Sequence, residues 1–471
     1  FLNKNGKVFI STCINCPAID HVNQFNKVED ITKLFKKSKF KIISQKILPV
    51  EKVNYTNALK KLGVEPQIIR HGKFKSAVEP FMLTEMSDAN REQVETFMGS
   101  IWKEFLKNVA NDRGLTDERL NTIVDNFEVK TPADAKRLGL VDSLFYRDQI
   151  QDHLVGLMEV AKFEDINFIS SSKYKNVKNE NARTKFKKDK IAVIFAQGEI
   201  KSGEGKETII GSERISKAIR KARLDDKVKA IVLRVNSPGG SALASDVIWR
   251  EMSLAKEVKP LVVSMGDVAA SGGYYIACDA DKIYASPSTI TGSIGVFGIM
   301  MSTEELYTDK LGLTFDQVKT NKYADIGTTT RPLTSEEYSI IHQSVVEVYN
   351  TFTSKVAHGR KMTQKAVDNI GQGRVWSGTN AMDINLIDAY GGLQEAIKGA
   401  SELAEIDTYR VVELPEIKAP LEQLLDELET GFSTSILKYT LGDEYKHYKA
   451  LNDIKHLNGI QVRMPYQFTI D

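Results

Sequence analysis

The 471-residue sequence lacks the residue patterns by which several classes of protein are recognised. Three cysteines are too few for a disulfide framework, and the C-x-x-C pair of Cys13 and Cys16 has no second pair with which to form a zinc site. A net charge of +2 gives no argument for nucleic acid as a partner. Because phosphate loops, dinucleotide fingerprints and metal-ligand helices are also missing, the sequence predicts no cofactor.

Long apolar runs are missing as well. No stretch approaches the roughly 20 apolar residues that cross a bilayer, and the chain begins with neither an initiator methionine nor a signal peptide. The length and apolar content are instead sufficient for the full cores of two or three domains. The composition therefore predicts a large soluble portion.

Two glycine-rich turns in the middle of the chain carry the strongest signal. Residues 230–235 (AIVLRV) lead into residues 236–240 (NSPGG), and residues 260–264 (PLVVS) lead toward a turn that contains Ser271. Each apolar run predicts a buried strand, and a short helix follows Ser271. Ligand sites form beyond the carboxyl ends of adjacent parallel strands. Since a helix N-terminus favours developing negative charge, Ser271 is a candidate nucleophile.

A serine nucleophile needs a base, which is usually histidine. None of the seven histidines falls in the stretch around the two turns. A buried lysine is the natural alternative, because burial disfavours the ammonium form and lowers the pKa of the amine. Either glycine turn alone is more often a packing device than a catalytic one, but the two together, in this order and spacing, favour catalysis.

Several motifs together resemble the signal peptide peptidase A family, also called protease IV. They are residues 236–240 (NSPGG), 269–275 (AASGGYY) and 288–295 (STITGSIG) and, typical of the family's long two-repeat form, residues 62–67 (LGVEPQ) and 73–81 (KFKSAVEPF). The resemblance covers most of residues 55–415. It implies an α/β protein of tandem ClpP/crotonase-like domains, with a serine protease site built on a Ser/Lys dyad.

The resemblance also implies a role for individual residues. Ser271 is expected to be the nucleophile and Lys75 the general base, while Ser293 matches the family's second serine, which orients the lysine amine. The second repeat has Ala324 where a counterpart of Lys75 is expected, and the nearby Lys322 is the alternative base. Each repeat is thus expected to supply one member of the dyad.

Glycine backbone is expected to complete the site. The resemblance implies an oxyanion hole formed by Gly240 and the N–H of Gly272, with Gly239 shaping the first turn. Paired backbone donors also stabilise a thioester enolate, so a crotonase-type acyl-CoA hydratase or isomerase is one alternative function. An inactive scaffold of a membrane protease complex is the other.

An internal repeat is visible within the chain itself. Aromatic, apolar, arginine and threonine positions recur at a constant offset, and a second block recurs after a one-residue shift. The first block pairs Trp102, Phe105, Val109, Arg113 and Thr116 with Tyr349, Phe352, Val356, Arg360 and Thr363; the second pairs Ala135, Leu138, Leu140, Val141 and Asp142 with Ala381, Ile384, Leu386, Ile387 and Asp388. A period of this size indicates duplicated domains.

The repeat leads to a predicted domain organisation. The first repeat is expected at residues 1–170, incomplete at its N-terminus, and the second at residues 191–410. Residues 171–190 contain eight lysines or arginines and are expected to form an exposed linker. Residues 411–471 are expected to form a helical extension, with its helical pattern at residues 420–438, and a tail.

The resemblance further implies the biological setting. Substrates are expected to be cleaved signal peptides and other extended apolar peptides, which dock by strand addition. The setting implied is the bacterial inner membrane, with the catalytic portion outside the cytoplasm and a membrane anchor absent from this chain. A homotetramer is the oligomer typical of the family.

Overall fold

The computed structural model describes residues 54–175, 188–416 and 459–464. Packing divides the chain into two compact units. In the described part, one unit contains residues 105–175, and the other contains residues 54–104 together with all described residues from 188 onward. Cys13, Cys16 and the helical pattern expected at residues 420–438 lie outside the described residues.

The helices begin at side-chain caps in several places. Thr116 and Thr363 each accept a hydrogen bond from the backbone N–H three residues later, which satisfies a donor that a helix start leaves unpaired. In chain order the helices are α1 (Thr56–Leu62), α2 (Asp88–Arg113), α3 (Asp117–Asp125), α4 (Pro132–Arg137), α5 (Arg147–Met158), α6 (Ser171–Lys175), α7 (Ser212–Leu224), α8 (Ala242–Lys256), α9 (Gly272–Tyr275), α10 (Ser335–Gly359), α11 (Gln364–Ile370), α12 (Gly378–Asp383) and α13 (Leu393–Leu403).

The described strands all belong to the second unit. They are β1 (Glu65–His71), β2 (Lys190–Gln197), β3 (Glu199–Lys201), β4 (Gly205–Lys206), β5 (Ile209–Gly211), β6 (Val228–Ser237), β7 (Gly239–Ser241), β8 (Leu261–Ala270), β9 (Lys282–Ala285), β10 (Ile290–Gly292), β11 (Val296–Ser302), β12 (Val375–Ser377), β13 (Ala389–Tyr390), β14 (Arg410–Leu414) and β15 (Gly459–Arg463). Short 3-10 and π turns, such as residues 76–81 and 306–310, connect some of them.

The larger sheet is parallel at its centre. Its order is β12-β10-β8-β6-β2-β14, with β9 beside β8 and β13 beside β9, and only β12 runs antiparallel to its neighbour. Gly292, the last residue of β10, is level with Ala270, the last residue of β8. The residues that directly follow these strands, Ser293 and Ser271, therefore emerge side by side at one edge.

Both faces of this sheet are buried. Ile231 and Leu233 of β6 pack in the main core, whereas the intervening Val232 packs in a second cluster with Ala396 and Ala400 of α13. This alternation follows from the two-residue period of a strand. The continuous apolar run of residues 230–233 in β6 is what a parallel sheet covered by helices on both sides requires.

The smaller sheet has the order β1-β11-β15-β7-β3-β5-β4. Its strand β1 pairs antiparallel with β11 from Glu65 opposite Ser302 to His71 opposite Val296. Because His71 precedes Lys75 by four residues and Val296 follows Ser293 by three, this pairing brings the lysine segment to the edge where Ser271 and Ser293 emerge.

The fold class predicted from the sequence, α/β, is confirmed, and both predicted strand–turn units are present as β6–β7 and β8–α9. Residues 51–104, expected to belong with the first repeat, lie in the same compact unit as the second repeat. The helical pattern expected within residues 411–471 lies outside the described residues, and the residues of this range that are described form most of β14 and all of β15. β14 pairs with β2, and β15 pairs with β7 and β11, so both strands depend on residues distant in sequence.

Candidate active site

Ser271 lies at the sharp turn between β8 and α9. Its backbone has φ 56° and ψ −116°, a region that costs a non-glycine residue on the order of 1–3 kcal/mol. The turn is held by the N–H of Ser271, which donates to the carbonyl of Gly292 at 2.8 Å. A Cβ on Gly272 would lie 2.6 Å from the hydroxyl of Ser245 and 3.1 Å from the Cα of Gly239, so a larger residue at the next position would crowd the first glycine turn. The serine is fully buried.

Lys75 reaches the same place from the loop after β1. Gly72 makes this loop possible with φ 105°, and a Cβ there would lie 2.5 Å from the carbonyl oxygen of Gln372. Gly373, with φ 85°, packs so closely that its own Cβ would lie 2.6 Å from the Cα of Lys75. The lysine is consequently enclosed on its backbone side, and its side chain is fully buried.

The amine of Lys75 lies within hydrogen-bond distance of both predicted serines. Lys75 Nζ is 2.8 Å from Ser271 Oγ, 3.1 Å from Ser293 Oγ and 3.2 Å from the backbone carbonyl oxygen of Ser293. The Ser293 hydroxyl donates in turn to the carbonyl of Gly373 at 3.3 Å. Ser293, like Ser271, has a positive φ, of 50°. The structure thus brings Ser271, Lys75 and Ser293 together within one compact unit of one chain.

Burial disfavours the charged form of Lys75. Desolvation holds the pKa of Lys75 well below its ordinary value. No carboxylate in the described part of the chain lies within ion-pair distance of its Nζ, whereas the buried Glu79 binds Asn90 and Ser87. The site therefore favours the neutral form of the amine next to a serine hydroxyl.

The three glycines predicted for the oxyanion hole, Gly239, Gly240 and Gly272, lie in the two glycine turns next to Ser271. A Cβ on Gly239 would be 2.7 Å from the backbone N of Gly272, so the two glycine turns touch. The N–H of Gly239 donates to Ser237 Oγ at 3.1 Å. Gly240, in β7, is level with Ile200 of β3 on one side and Val462 of β15 on the other. The N–H of Gly239 has a partner within its own turn, whereas Gly272 begins α9, where the first N–H groups have no partner within the helix.

The alternative base is not at this site. Lys322 is exposed and forms an ion pair with Glu336, which raises the pKa of the lysine. Ala324, at the position expected to correspond to Lys75, is exposed as well. Lys73, two residues before Lys75, points outward and lies 3.6 Å from a carboxylate oxygen of Glu92.

Sequence reasoning missed the groups that hold the lysine segment. The buried Gln93 of α2 donates to the carbonyl of Phe74 at 3.0 Å and to Ser76 Oγ at 2.8 Å, and its carbonyl oxygen accepts from the N–H of Val375 at 3.1 Å. It therefore ties both neighbours of Lys75 to strand β12. A single glutamine in a helix carries no pattern by which to find it.

A second support lies behind the loop. Tyr349 Oη accepts from the N–H of Gln372 at 3.1 Å and lies 2.5 Å from a carboxylate oxygen of Asp368, to which it donates. The carbonyl of Gln372 accepts from the N–H of Phe74 at 2.9 Å. The repeat had marked Tyr349 as the counterpart of Trp102, which was a signal of position but not of this role.

Comparison with known proteins identifies the family. The family model of Peptidase family S49 matches residues 48–161 and 253–407, which is more than half of the chain. The chain belongs to peptidase family S49. The two matched segments of this S49 chain, on either side of the first glycine turn, agree with the tandem arrangement that the repeat predicted.

Several relatives are similar over most of this S49 chain. The chloroplastic serine protease SPPA of Arabidopsis thaliana is 34% identical over 411 residues, covering 86% of this chain and 59% of that protein. Protease 4 of Salmonella typhi is 38% identical over 394 residues, covering 81% of this chain and 62% of the relative. The chain thus spans about three fifths of their length. Among solved structures, a ClpP1 mutant from Listeria monocytogenes covers 44% of the chain with a TM-score of 0.30 and 14% identity.

Two further observations concern the described residues only. None of the helices there is both long and apolar enough to span a membrane. No group of three or more His, Cys, Asp or Glu side chains in the same ranges is arranged to hold a metal ion.

Proposed function

We propose that this S49 chain is a serine endopeptidase that uses Ser271 as nucleophile and Lys75 as general base. The observation that carries the proposal is the 2.8 Å contact between Lys75 Nζ and Ser271 Oγ in a fully buried site. A nucleophile and its base must lie within hydrogen-bond distance. Burial lowers the pKa of this lysine, which is the condition for a neutral base.

Ser293 orients the lysine amine in this proposal. A neutral amine has two N–H groups and one lone pair. The carbonyl oxygen and the hydroxyl oxygen of Ser293 are both acceptors close to Lys75 Nζ, since the Ser293 hydroxyl proton is directed to the carbonyl of Gly373. With both N–H groups of the amine occupied, its lone pair faces the Ser271 hydroxyl.

The reaction proceeds through an acyl-enzyme. Ser271 Oγ attacks the peptide carbonyl while its proton passes to Lys75 Nζ, and the N–H groups of Gly240 and Gly272 stabilise the oxyanion. The protonated lysine then gives its proton to the departing amine. The same lysine activates the water that hydrolyses the ester and restores Ser271.

We further propose extended apolar peptides as substrates, signal peptides included. Support comes from relatives named Protease 4 and, in Enterococcus faecium, putative signal peptide peptidase SppA. The same relationship is the basis for proposing a homotetramer at the bacterial inner membrane, with its catalytic portion outside the cytoplasm. Extended peptides suit the site because β7 and β11, which lie next to it, pair with an extended strand, β15, in this structure.

Active-site labelling tests the proposed dyad. A fluorophosphonate probe is expected to label the parent protein, and Ser271→Ala is expected to abolish the labelling. Lys75→Met should slow labelling by roughly 100- to 10,000-fold, the usual contribution of a general base. Lys322→Met is the matched control, because Lys322 is exposed and paired with Glu336.

Peptide turnover separates the proposal from acyl-CoA chemistry. Cleavage of an apolar fluorogenic peptide that disappears in Ser271→Ala supports the endopeptidase. Labelling that persists in Ser271→Ala, or acyl-CoA turnover without peptide cleavage, contradicts it.

A further inference from the structure

The turn at residues 371–374 lies behind the candidate active site, between α11 and β12. Two consecutive residues of this turn, Gln372 and Gly373, have a positive φ, of 51° and 85°. This conformation is unfavourable for a glutamine, because its Cβ comes close to a backbone carbonyl oxygen. Contacts with the rest of the protein must therefore hold the 371–374 turn in its shape.

One side of the turn holds the loop that carries Lys75. The carbonyl of Gln372 accepts a hydrogen bond from the N–H of Phe74 at 2.9 Å. Gly373 packs against the lysine itself, since a Cβ on Gly373 would lie 2.6 Å from both the backbone N and the Cα of Lys75. A displacement of the turn would therefore displace the backbone from which the lysine side chain extends.

The other side of the turn holds Ser293. The N–H of Ser293 donates to the carbonyl of Arg374 at 2.7 Å, and its hydroxyl donates to the carbonyl of Gly373 at 3.3 Å. The N–H of Gly373 donates in return to the carbonyl of Ile294 at 2.7 Å. The serine that orients the amine in the proposed mechanism is thus fixed to the same turn as the lysine loop.

Tyr349 of α10 holds this turn through its hydroxyl group. The hydroxyl oxygen accepts from the N–H of Gln372 at 3.1 Å, and the hydroxyl donates to a carboxylate oxygen of Asp368 at 2.5 Å. Burial raises the pKa of Tyr349, so the hydroxyl keeps the proton that it donates. The carboxylate directs that proton away from Gln372, which leaves an oxygen lone pair for the Gln372 N–H. Only 2% of Tyr349 is exposed, and its ring lies 4.3 Å from the ring of His71.

We propose that Tyr349 is a positioning residue for the acylation of Ser271: its hydroxyl, acting through residues 372–374, keeps the amine of Lys75 in contact with Ser293. The inference rests on the proposed function, because it concerns the geometry of the same Ser/Lys site. Tyr349 acts through the turn and not on the reacting atoms. Loss of its hydroxyl should therefore weaken the action of the lysine while the nucleophile and peptide binding are retained.

Removal of this one oxygen atom tests the proposal. Tyr349→Phe keeps the ring beside His71 but takes away the acceptor of the Gln372 N–H. We expect fluorophosphonate labelling of Ser271 to slow by roughly 10- to 100-fold, the scale of a small misplacement of catalytic groups. For an apolar fluorogenic peptide, kcat should fall while KM is unchanged. Tyr338→Phe, the same change at an exposed tyrosine of α10, is the matched control and should label at the parent rate.

A double-mutant cycle with Lys75→Met separates positioning from a general loss of structure. If Tyr349 acts through Lys75, adding Tyr349→Phe to Lys75→Met should not slow the remaining labelling any further. A general loss of structure would instead slow both proteins by the same factor. The partner of the hydroxyl gives a second comparison. Asp368→Asn keeps an acceptor for the tyrosine hydroxyl and should retain most of the parent rate, whereas Asp368→Leu should slow labelling.

Two results overturn the inference. One is labelling of Tyr349→Phe at the parent rate, and the other is equal slowing by Tyr349→Phe in the parent protein and in Lys75→Met. Circular dichroism of each variant checks the fold. Labelling that Lys75→Met does not slow would instead overturn the proposed dyad, and with it the inference that depends on the dyad.

Discussion

The two copies of the internal repeat have the same local structure in different surroundings. In each, a long helix ends near an arginine that pairs with an aspartate about 28 residues later: Arg113 with Asp142 at 2.8 Å, and Arg360 with Asp388 at 2.7 Å. A threonine then caps the next helix in both copies. The sequence correspondence is therefore a structural one.

Burial is where the copies differ. Phe352 and Leu386 are fully buried, whereas their counterparts Phe105 and Leu140 are partly exposed. Arg360 is 6% exposed and Arg113 is 26% exposed. A duplicated motif thus keeps its hydrogen-bonding geometry more faithfully than its degree of burial, because the geometry is local and burial depends on distant segments.

The same contrast separates the two candidate lysines. Lys75 is buried without a counter-charge and its pKa is lowered, while Lys322 is exposed beside Glu336 and its pKa is raised. The residue type is identical, so the environment alone shifts the pKa values of the two lysines in opposite directions. The following predictions test how far burial distinguishes the copies.

Removing the repeated arginine should have the largest effect on stability. We expect Arg360→Ala to cost about 2–3 kcal/mol, less than a fully buried pair because Asp388 is partly exposed. Arg113→Ala should cost less than about 1 kcal/mol, since solvent screens its partner. Segment-resolved hydrogen exchange measures each copy separately. Equal losses would mean that burial does not distinguish the two pairs.

The buried lysine should make stability depend on pH. Unfolded Lys75 binds a proton below about pH 10.5, whereas the folded lysine stays neutral down to its lowered pKa. Between these values the unfolded state holds more protons, so stability falls as pH falls, by about 1.4 kcal/mol per pH unit. Lys75→Met should remove this slope.

Lys322→Met is the matched comparison for that experiment. Because its folded pKa is raised, the exposed lysine gives no such slope below pH 10. Denaturant unfolding of the three proteins at several pH values measures the difference. If the free energy of unfolding changes with pH in the same way in the parent protein and in Lys75→Met, Lys75 keeps its proton when folded.

Removal of the corresponding helix caps should have the smallest effect on stability. The effect should also be similar in the two copies. Thr116→Ala and Thr363→Ala each remove a hydrogen bond to a helix N-terminus at an exposed residue, which costs about 1 kcal/mol. Hydrogen exchange in α3 and α11 is the measurement. A difference of more than about 1 kcal/mol between the two would show that the repeat is not equivalent even at its caps.

The sequence predicted those parts of the candidate site that depend only on neighbouring residues in the chain. A β-branched run followed by glycines indicates a strand and a tight turn, which located Ser271, Gly239, Gly240 and Gly272. Lys75 could be assigned only by resemblance, because nothing in its own segment distinguishes it from a solvated lysine. Its position depends on β1 pairing with β11, which are more than 200 residues apart.

Two parts of the site could not be read from sequence at all. The carbonyl of Ser293 lies near the amine only because of the positive φ of that residue. Strand β15 has no functional motif, and residues 459–464 became informative only when pairing with β7 and β11 set their register. Backbone groups and non-local pairing leave little trace in residue identity.

The central claim is that Lys75 acts as a neutral base on Ser271, and the pH dependence of Ser271 acylation tests it most directly. Burial lowers the pKa of Lys75, so the rate of fluorophosphonate labelling should rise with pH through that lowered pKa and level off well below pH 10. The rise should be absent in Lys75→Met and unchanged in Lys322→Met. A rate that is flat from acid to alkaline pH, or that keeps rising to about pH 10.5, would contradict the account.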